Sequence, residues 1–160
     1  MSIHRVIINS SPLIVLLKSQ QAQVLTQLFT EILVPFGVLE EVTTKDDVAS
    51  TQLPNISWIQ IVEVNAITPV VAAWDLGKVE SQVLSLALKN SDCAAIVDDR
   101  AARRCGQALS IITIETGGLL ILAKRRGIIP SISPGIEALR DASLWLSDSL
   151  VNLLKQQAGE

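Results

Sequence analysis

Tyrosine is absent from this sequence, histidine occurs once, at His4, and the two cysteines, Cys93 and Cys105, stand in unrelated contexts. Each shortage excludes a kind of chemistry. One histidine near the N-terminus leaves little basis for a Ser/His/Asp hydrolase. Two isolated cysteines form neither a Cys-x-x-Cys pair nor a zinc ligand set, and they read as buried filler. With two phenylalanines and three tryptophans, base stacking has few candidates, and Trp74 is the one to consider. Leu119–Ala123 is an apolar run that stops at Lys124, far short of the roughly 20 residues a bilayer-spanning helix needs. Met1 to Arg5 runs directly into a strand, without the charged, apolar and cleavage regions of a secretory leader, so a cytoplasmic location is expected.

Charge is also scarce. Charged residues make up 18% of the 160 positions against 49% hydrophobic, with a net charge of -3. The length suits one domain, 1–160, with a core of its own. So little surface charge leaves apolar area for a dimer or another binding partner. A negative sum argues against a nucleic-acid partner, but the distribution matters more. Arg100, Arg103 and Arg104 form one basic cluster and Lys124-Arg125-Arg126 a second, and both are expected around one cleft. Taken singly, each cation reads as solvated or as a complement to a helix C-terminus.

What the sequence does have is alternation. Short β-branched runs exchange with amphipathic stretches, the pattern of an α/β domain on a mostly parallel sheet. Strands are expected over Arg5–Ile8, Ile32–Val34, Trp58–Val62, Ala94–Val97 and Leu109–Ile114. A helix opens at Ser11-Pro12, with Ser11 as its cap, and further helices are expected at 21–30, 36–42, 77–89, 100–107, 116–126, 133–140 and 147–157, with a short one opened by Thr68-Pro69. Thr43 to Pro54 reads as a polar loop.

Carboxylates recur where these elements meet: Glu41, Glu80 and the pair Asp98-Asp99. In open parallel sheets the ligand site lies outside the carboxyl ends of the strands, the position held by Asn9 and Asp98. Asp98-Asp99 reads equally well as a helix cap beside a solvated acid, and Asn9-Ser10-Ser11 as a turn and cap cluster. Glu41 stands beside Glu40, and either could be a surface residue. Glu80 separates the readings better. If Lys78, Ser81, Gln82, Ser85 and Lys89 form the polar stripe of their helix, Glu80 faces the buried side, where a carboxylate is costly unless paired or bound to a metal.

Five segments in order resemble the PIN domain: Val6-Ile7-Ile8-Asn9-Ser10-Ser11-Pro12-Leu13-Ile14, Pro35-x-x-Val38-x-x-Glu41-Val42, Leu76-Gly77-x-x-Glu80, Val97-Asp98-Asp99-Arg100-x-x-Arg103 and Thr116-Gly117-Gly118-Leu119-Leu120. More closely they resemble its VapC-like prokaryotic branch, over nearly the whole chain. The resemblance implies a three-layer α/β/α sandwich with a central, mostly parallel sheet, and a Mg²⁺- or Mn²⁺-dependent endoribonuclease of toxin-antitoxin type. It assigns the catalytic positions to Asn9, Glu41, Glu80 and Asp98, with asparagine in place of the general first-strand acid as is usual for the branch, and the metal to Asn9, Glu80, Asp98 and Asp99. Ser10, Ser11 and Thr116 would support the site; Glu115 departs from the branch, which commonly has glycine there, and adds a carboxylate beside Thr116 that would supply part of the charge Asn9 lacks. A small antitoxin is the implied partner, and the resemblance together with the high hydrophobicity implies a homodimer through helices of the first half.

The chemistry asks for such a set. Phosphodiester hydrolysis needs a hard cation held by oxygen ligands, and Asn9 can offer a carbonyl but no charge. Arg100 and Arg103 are expected to steer a single-stranded RNA backbone. The alternative is a catalytically weakened RNA-binding or protein-interaction module. A receiver or haloacid-dehalogenase type of domain fits poorly, because the first strand ends without the aspartate such sites need.

Overall fold

Val6–Ile8, Ile32–Val34 and Ala94–Val97 are unbroken apolar runs, and every residue in them is buried. Runs of this kind suit strands covered on both faces, as in the parallel sheet of an α/β protein. The computed structural model describes residues 3–160 and has that arrangement. Its strands are β1 (Arg5–Ile8), β2 (Glu31–Pro35), β3 (Ile59–Val62), β4 (Cys93–Ile96) and β5 (Thr113–Ile114). They form one parallel sheet in the order β3-β2-β1-β4-β5.

The helices among the described residues are α1 (Ser10–Lys18), α2 (Gln23–Leu28), α3 (Phe36–Thr43), α4 (Val48–Gln52), α5 (Pro69–Ala72), α6 (Lys78–Lys89), α7 (Arg100–Ala108), α8 (Thr116–Arg125), α9 (Ser133–Asp141) and α10 (Asp148–Gln157). Two connected sets pack on the sheet: α1 with α3 to α7, and α2 with α8, α9 and α10. The result is the expected three-layer α/β/α sandwich.

Strand order decides where the site falls. From β1 the chain steps outward to β2 and β3, then returns past β1 to β4 and β5. Connections therefore diverge on either side of the β1–β4 pair, which leaves a crevice outside the carboxyl ends of these two strands. Ile8 lies opposite Ile96, and the Asn9 N–H donates to the Ile96 carbonyl at 3.0 Å, so Asn9 and Asp98 leave the sheet at nearly the same level.

Three local expectations change. α1 begins at Ser10, and the residue at its cap position is Asn9, whose side chain makes no capping bond; Ser11 is a helical residue, exposed on the first turn. The polar segment 43–54 contains α4, opened by a capping box in which Asp47 accepts from the Ser50 N–H at 3.0 Å and the Ser50 hydroxyl accepts from the Asp47 N–H at 3.2 Å. The last strand keeps two of its six expected residues. Leu109 closes α7, and Ser110 takes a left-handed φ of 59° while the Ile111 N–H returns to the Gly106 carbonyl at 2.8 Å, so pairing starts at Thr113.

Candidate active site

Asp98 follows β4 and is fixed by a neighbouring element. Its Oδ1 accepts the Thr116 N–H at 2.8 Å and its Oδ2 accepts the Thr116 hydroxyl at 2.6 Å. Thr116 opens α8 and is wholly buried. The free N–H groups of a helix's first turn favour an anion there, so the carboxylate is held in one orientation at the end of the sheet.

Asn9 faces the same crevice from β1 and is 2% exposed. Its Nδ2 points at Glu80 Oε1 across 3.5 Å, the long limit of a hydrogen bond. Its Oδ1 is buried with no hydrogen-bond partner, and so is the hydroxyl of Ser10. A buried acceptor without a partner is uncommon and calls for a water or an ion. This oxygen stands beside one carboxylate and at the end of the strand next to another.

Glu80 comes from the first turn of α6 and is half-buried. A Cβ on Gly77 would come within 2.3 Å of Glu80 Oε2, so the Gly77-x-x-Glu80 spacing reflects a carboxylate folded back over its own cap position. The polar stripe expected on α6 needs correction even though Glu80 is partly buried. Ser81, Gln82 and Ser85, expected to face solvent, are themselves buried. They face other parts of the fold: Ser85 Oγ accepts the Thr68 N–H at 3.1 Å, and the Gln82 amide lies over Gly37 of α3, where a Cβ would meet its oxygen at 2.1 Å.

The remaining acids have other partners or surroundings. Asp99 is exposed and caps α7, accepting the Ala102 N–H at 2.8 Å. Glu41 is exposed on α3 and shares a smaller cavity of about 200 Å³ with Ser11, Lys18 and Lys45. Glu115 has a partner of its own: its carboxylate accepts from Arg103 Nη1 at 2.5 Å. Among the described residues no three acids, histidines or cysteines converge as a metal-binding group. The structure sets Glu80 against Asn9 and places Asp98 two residues beyond Ile96, the strand partner of Ile8.

The basic residues divide. Arg100 is exposed and, among the described residues, has no side-chain hydrogen bond or ion pair. It lines a cavity of about 660 Å³ together with Asp98, Arg103 and Glu115. Lys124 and Arg126 do not share that cleft. α8 runs away from Thr116 for ten residues, roughly 15 Å at the helical rise. There Lys124 donates to the Ala158 carbonyl at 2.6 Å and to Glu160 at 3.0 Å, and Arg126 donates to the Leu28 carbonyl at 2.9 Å. Both are tied to the fold. Trp74 is 40% exposed, but the wall of the cavity beside Asp98 carries Trp145, 82% exposed, which sequence reasoning misses. A signal for it exists: an aromatic in a short segment, Leu144-Trp145-Leu146, between two helices.

Asn9, Glu80 and Asp98 offer oxygen donors, and one of them is an orphaned buried carbonyl. That donor set fits a hard divalent cation. A parallel sheet with carboxylates and an amide at its switch point defines an α/β protein with an oxygen-donor site at the strand ends. The chain belongs to the PIN-domain family, whose model matches residues 5–160. PIN domains generally act as nucleases, depend on a divalent metal and take RNA as substrate. Comparison with curated proteins finds no match. Among the described residues no helix is long and apolar enough to cross a membrane.

Proposed function

We propose that this chain is a single PIN domain over 1–160 that acts as a Mg²⁺- or Mn²⁺-dependent endoribonuclease of the VapC-like, toxin type. The observation that carries the reading is the partnerless Asn9 Oδ1, buried at the strand switch point next to Glu80 and alongside Asp98. Asn9, Glu80 and Asp98 form the centre of the metal site. Asp99 and Glu41 stay outside it, one capping α7 and the other exposed on α3.

A divalent ion bound there would generate hydroxide from water near neutral pH and offset charge on the scissile phosphate. The chain's own residues do the rest. Thr116 holds both oxygens of Asp98, so the carboxylate need not reorganise. Glu80 supplies the second negative charge. Asn9 supplies an oxygen without charge, which makes affinity for the ion low until substrate phosphate adds ligands. Arg100 stands free to meet the phosphate backbone, whereas Arg103 is neutralised by Glu115. A small antitoxin that places a basic residue between Glu80 and Asp98 would inhibit the enzyme. Exposed Phe36, Val48 and Val70, all in the first half, supply apolar area for a homodimer in the cytoplasm.

A second reading, an RNA-binding module with weakened catalysis, draws on the lack of a three-acid group among the described residues. The two separate on cleavage of a mixed RNA pool. A nuclease cleaves the pool in Mn²⁺, stops on chelation and resumes when metal is restored. Binding without cleavage in either metal would favour the second.

A further inference from the structure

Trp145 is the most exposed of the large apolar side chains among the described residues, and its loop is held in place. Ser143 takes a left-handed φ of 79° directly after α9, the Leu144 N–H returns to the Leu139 carbonyl at 3.0 Å, and Arg140 Nη2 donates to the Leu146 carbonyl at 2.8 Å and to Asp148 at 3.0 Å. Leu144 and Leu146 pack against the core on either side. An indole kept in water on an anchored loop costs little further entropy when it binds a partner.

The cavity beside it has two unlike kinds of lining. Asp98, Arg100 and the Arg103–Glu115 pair are charged; Trp145, Leu150 and Leu153 are apolar. Gly118 lines it as well, and a Cβ there would meet only Ile114 at an ordinary 3.7 Å. Packing therefore does not demand glycine at 118, and its effect is to leave the cavity open. A nucleotide has the same two characters, an anionic phosphate for the unpaired Arg100 and a flat base with an apolar face for Trp145. A wholly apolar partner helix would match the apolar lining alone and bury Arg100 unpaired, a costly exchange.

Building on the nuclease reading, we infer that this cavity binds one nucleobase of single-stranded RNA, stacked on Trp145, in the nucleotide next to the scissile phosphate. Arg100 takes the phosphate and Gly118 keeps the floor clear. Stacking of this kind selects unpaired bases over duplex, because a base must leave its helix to enter.

The test is steady-state cleavage of short single-stranded RNA in Mn²⁺ by the full chain and by Trp145→Ala and Gly118→Leu, with anisotropy measurement of binding alongside. Both positions lie at the surface of the cavity, so folding is checked simply by thermal melting. The expected result is a KM and a Kd raised roughly 10-fold or more in each variant, with a smaller change in kcat. An abasic nucleotide at one position next to the cleavage point removes the difference between the parent chain and Trp145→Ala. Cleavage by the parent chain with both variants unaffected overturns the stacking platform and leaves the nuclease reading standing; loss of self-association or of protein binding in Trp145→Ala with RNA kinetics unchanged has the same meaning. Binding that weakens in both variants without cleavage by any chain supports the platform and removes the nuclease. A parent chain that neither binds nor cleaves RNA overturns both.

Discussion

Thr116 donates to both oxygens of Asp98, through its backbone N–H at 2.8 Å and its hydroxyl at 2.6 Å. One residue at the start of α8 thereby sets the direction of the acid at the end of β4. Thr116→Val keeps the shape and removes the hydroxyl. We expect a stability loss of about 1 kcal/mol and a roughly 10-fold fall in Mn²⁺-dependent cleavage, with Thr116→Ser restoring most of the rate. Equal rates in Thr116→Val and the parent chain would show that this bond does not orient Asp98 for catalysis.

Asn9→Asp places a carboxylate beside Glu80, where the amide now points across 3.5 Å. Without metal the two like charges repel, and the variant should melt below the parent. With metal the order should reverse. If the added charge tightens binding roughly 10-fold, saturating Mn²⁺ adds about 1.4 kcal/mol more stability to Asn9→Asp than to the parent. Thermal melting across a Mn²⁺ titration reads both halves. A variant that melts lower at every metal concentration contradicts a cation at Asn9.

Arg100 and Arg103 should differ although they lie on one helix. Arg100 has no side-chain partner among the described residues, so Arg100→Ala should weaken RNA binding and flatten its salt dependence by about 0.7 in slope, the value for one phosphate on a single strand. Arg103→Ala leaves Glu115 without its partner in the same cavity. It should weaken RNA binding more than the loss of one cation explains, and Arg103→Ala with Glu115→Gln should recover part of it. Identical salt slopes for the parent and Arg100→Ala would remove Arg100 from the RNA path.

Away from the site, the Glu160 carboxylate accepts from the Ser131 hydroxyl at 2.5 Å, the Ile132 N–H at 2.8 Å and the Ser133 hydroxyl at 2.7 Å, with Lys124 at 3.0 Å. The Ser131 bond first, then Ile132 and Ser133, hold its pKa far below the ordinary glutamate value of 4.5. The folded state binds this proton less readily than the unfolded state, so the contribution to stability is complete above the ordinary value and fades as pH falls below it. Glu160→Gln should therefore melt lower than the parent near neutral pH, with the gap narrowing in acid. A constant gap across the range would mean that the ionised carboxylate is not what anchors the segment.

Much of the fold is legible in the sequence, because parallel strands buried on both faces must be continuously apolar, as Val6–Ile8 and Ala94–Val97 are. The site is legible where it depends on strand ends: Asn9 and Asp98 follow from the rule that ligands gather beyond the carboxyl ends of strands. Side-chain partnerships are not. Asp98 and Asp99 are adjacent and chemically identical, and only the start of α8 decides that one meets Thr116 while the other caps α7. Glu115, expected to lend charge to the metal, has a partner in Arg103 that order along the chain does not show. Periodicity misleads on α6, since Ser85 bonds to Thr68 and Gln82 lies over α3, and a polar stripe need not face water. Order along the chain groups Lys124 and Arg126 with Arg100, but α8 carries them away from the crevice to partners at Ala158, Glu160 and Leu28.

The most direct test of the central claim is the rate of Mn²⁺-dependent cleavage of single-stranded RNA by the parent chain beside Asp98→Asn, both shown to be folded by melting. The parent should cleave, and Asp98→Asn should lose roughly 100-fold or more in rate while still binding RNA. Equal cleavage by the two chains, or a parent rate that persists when all divalent metal is chelated, would contradict a metal site built on Asp98.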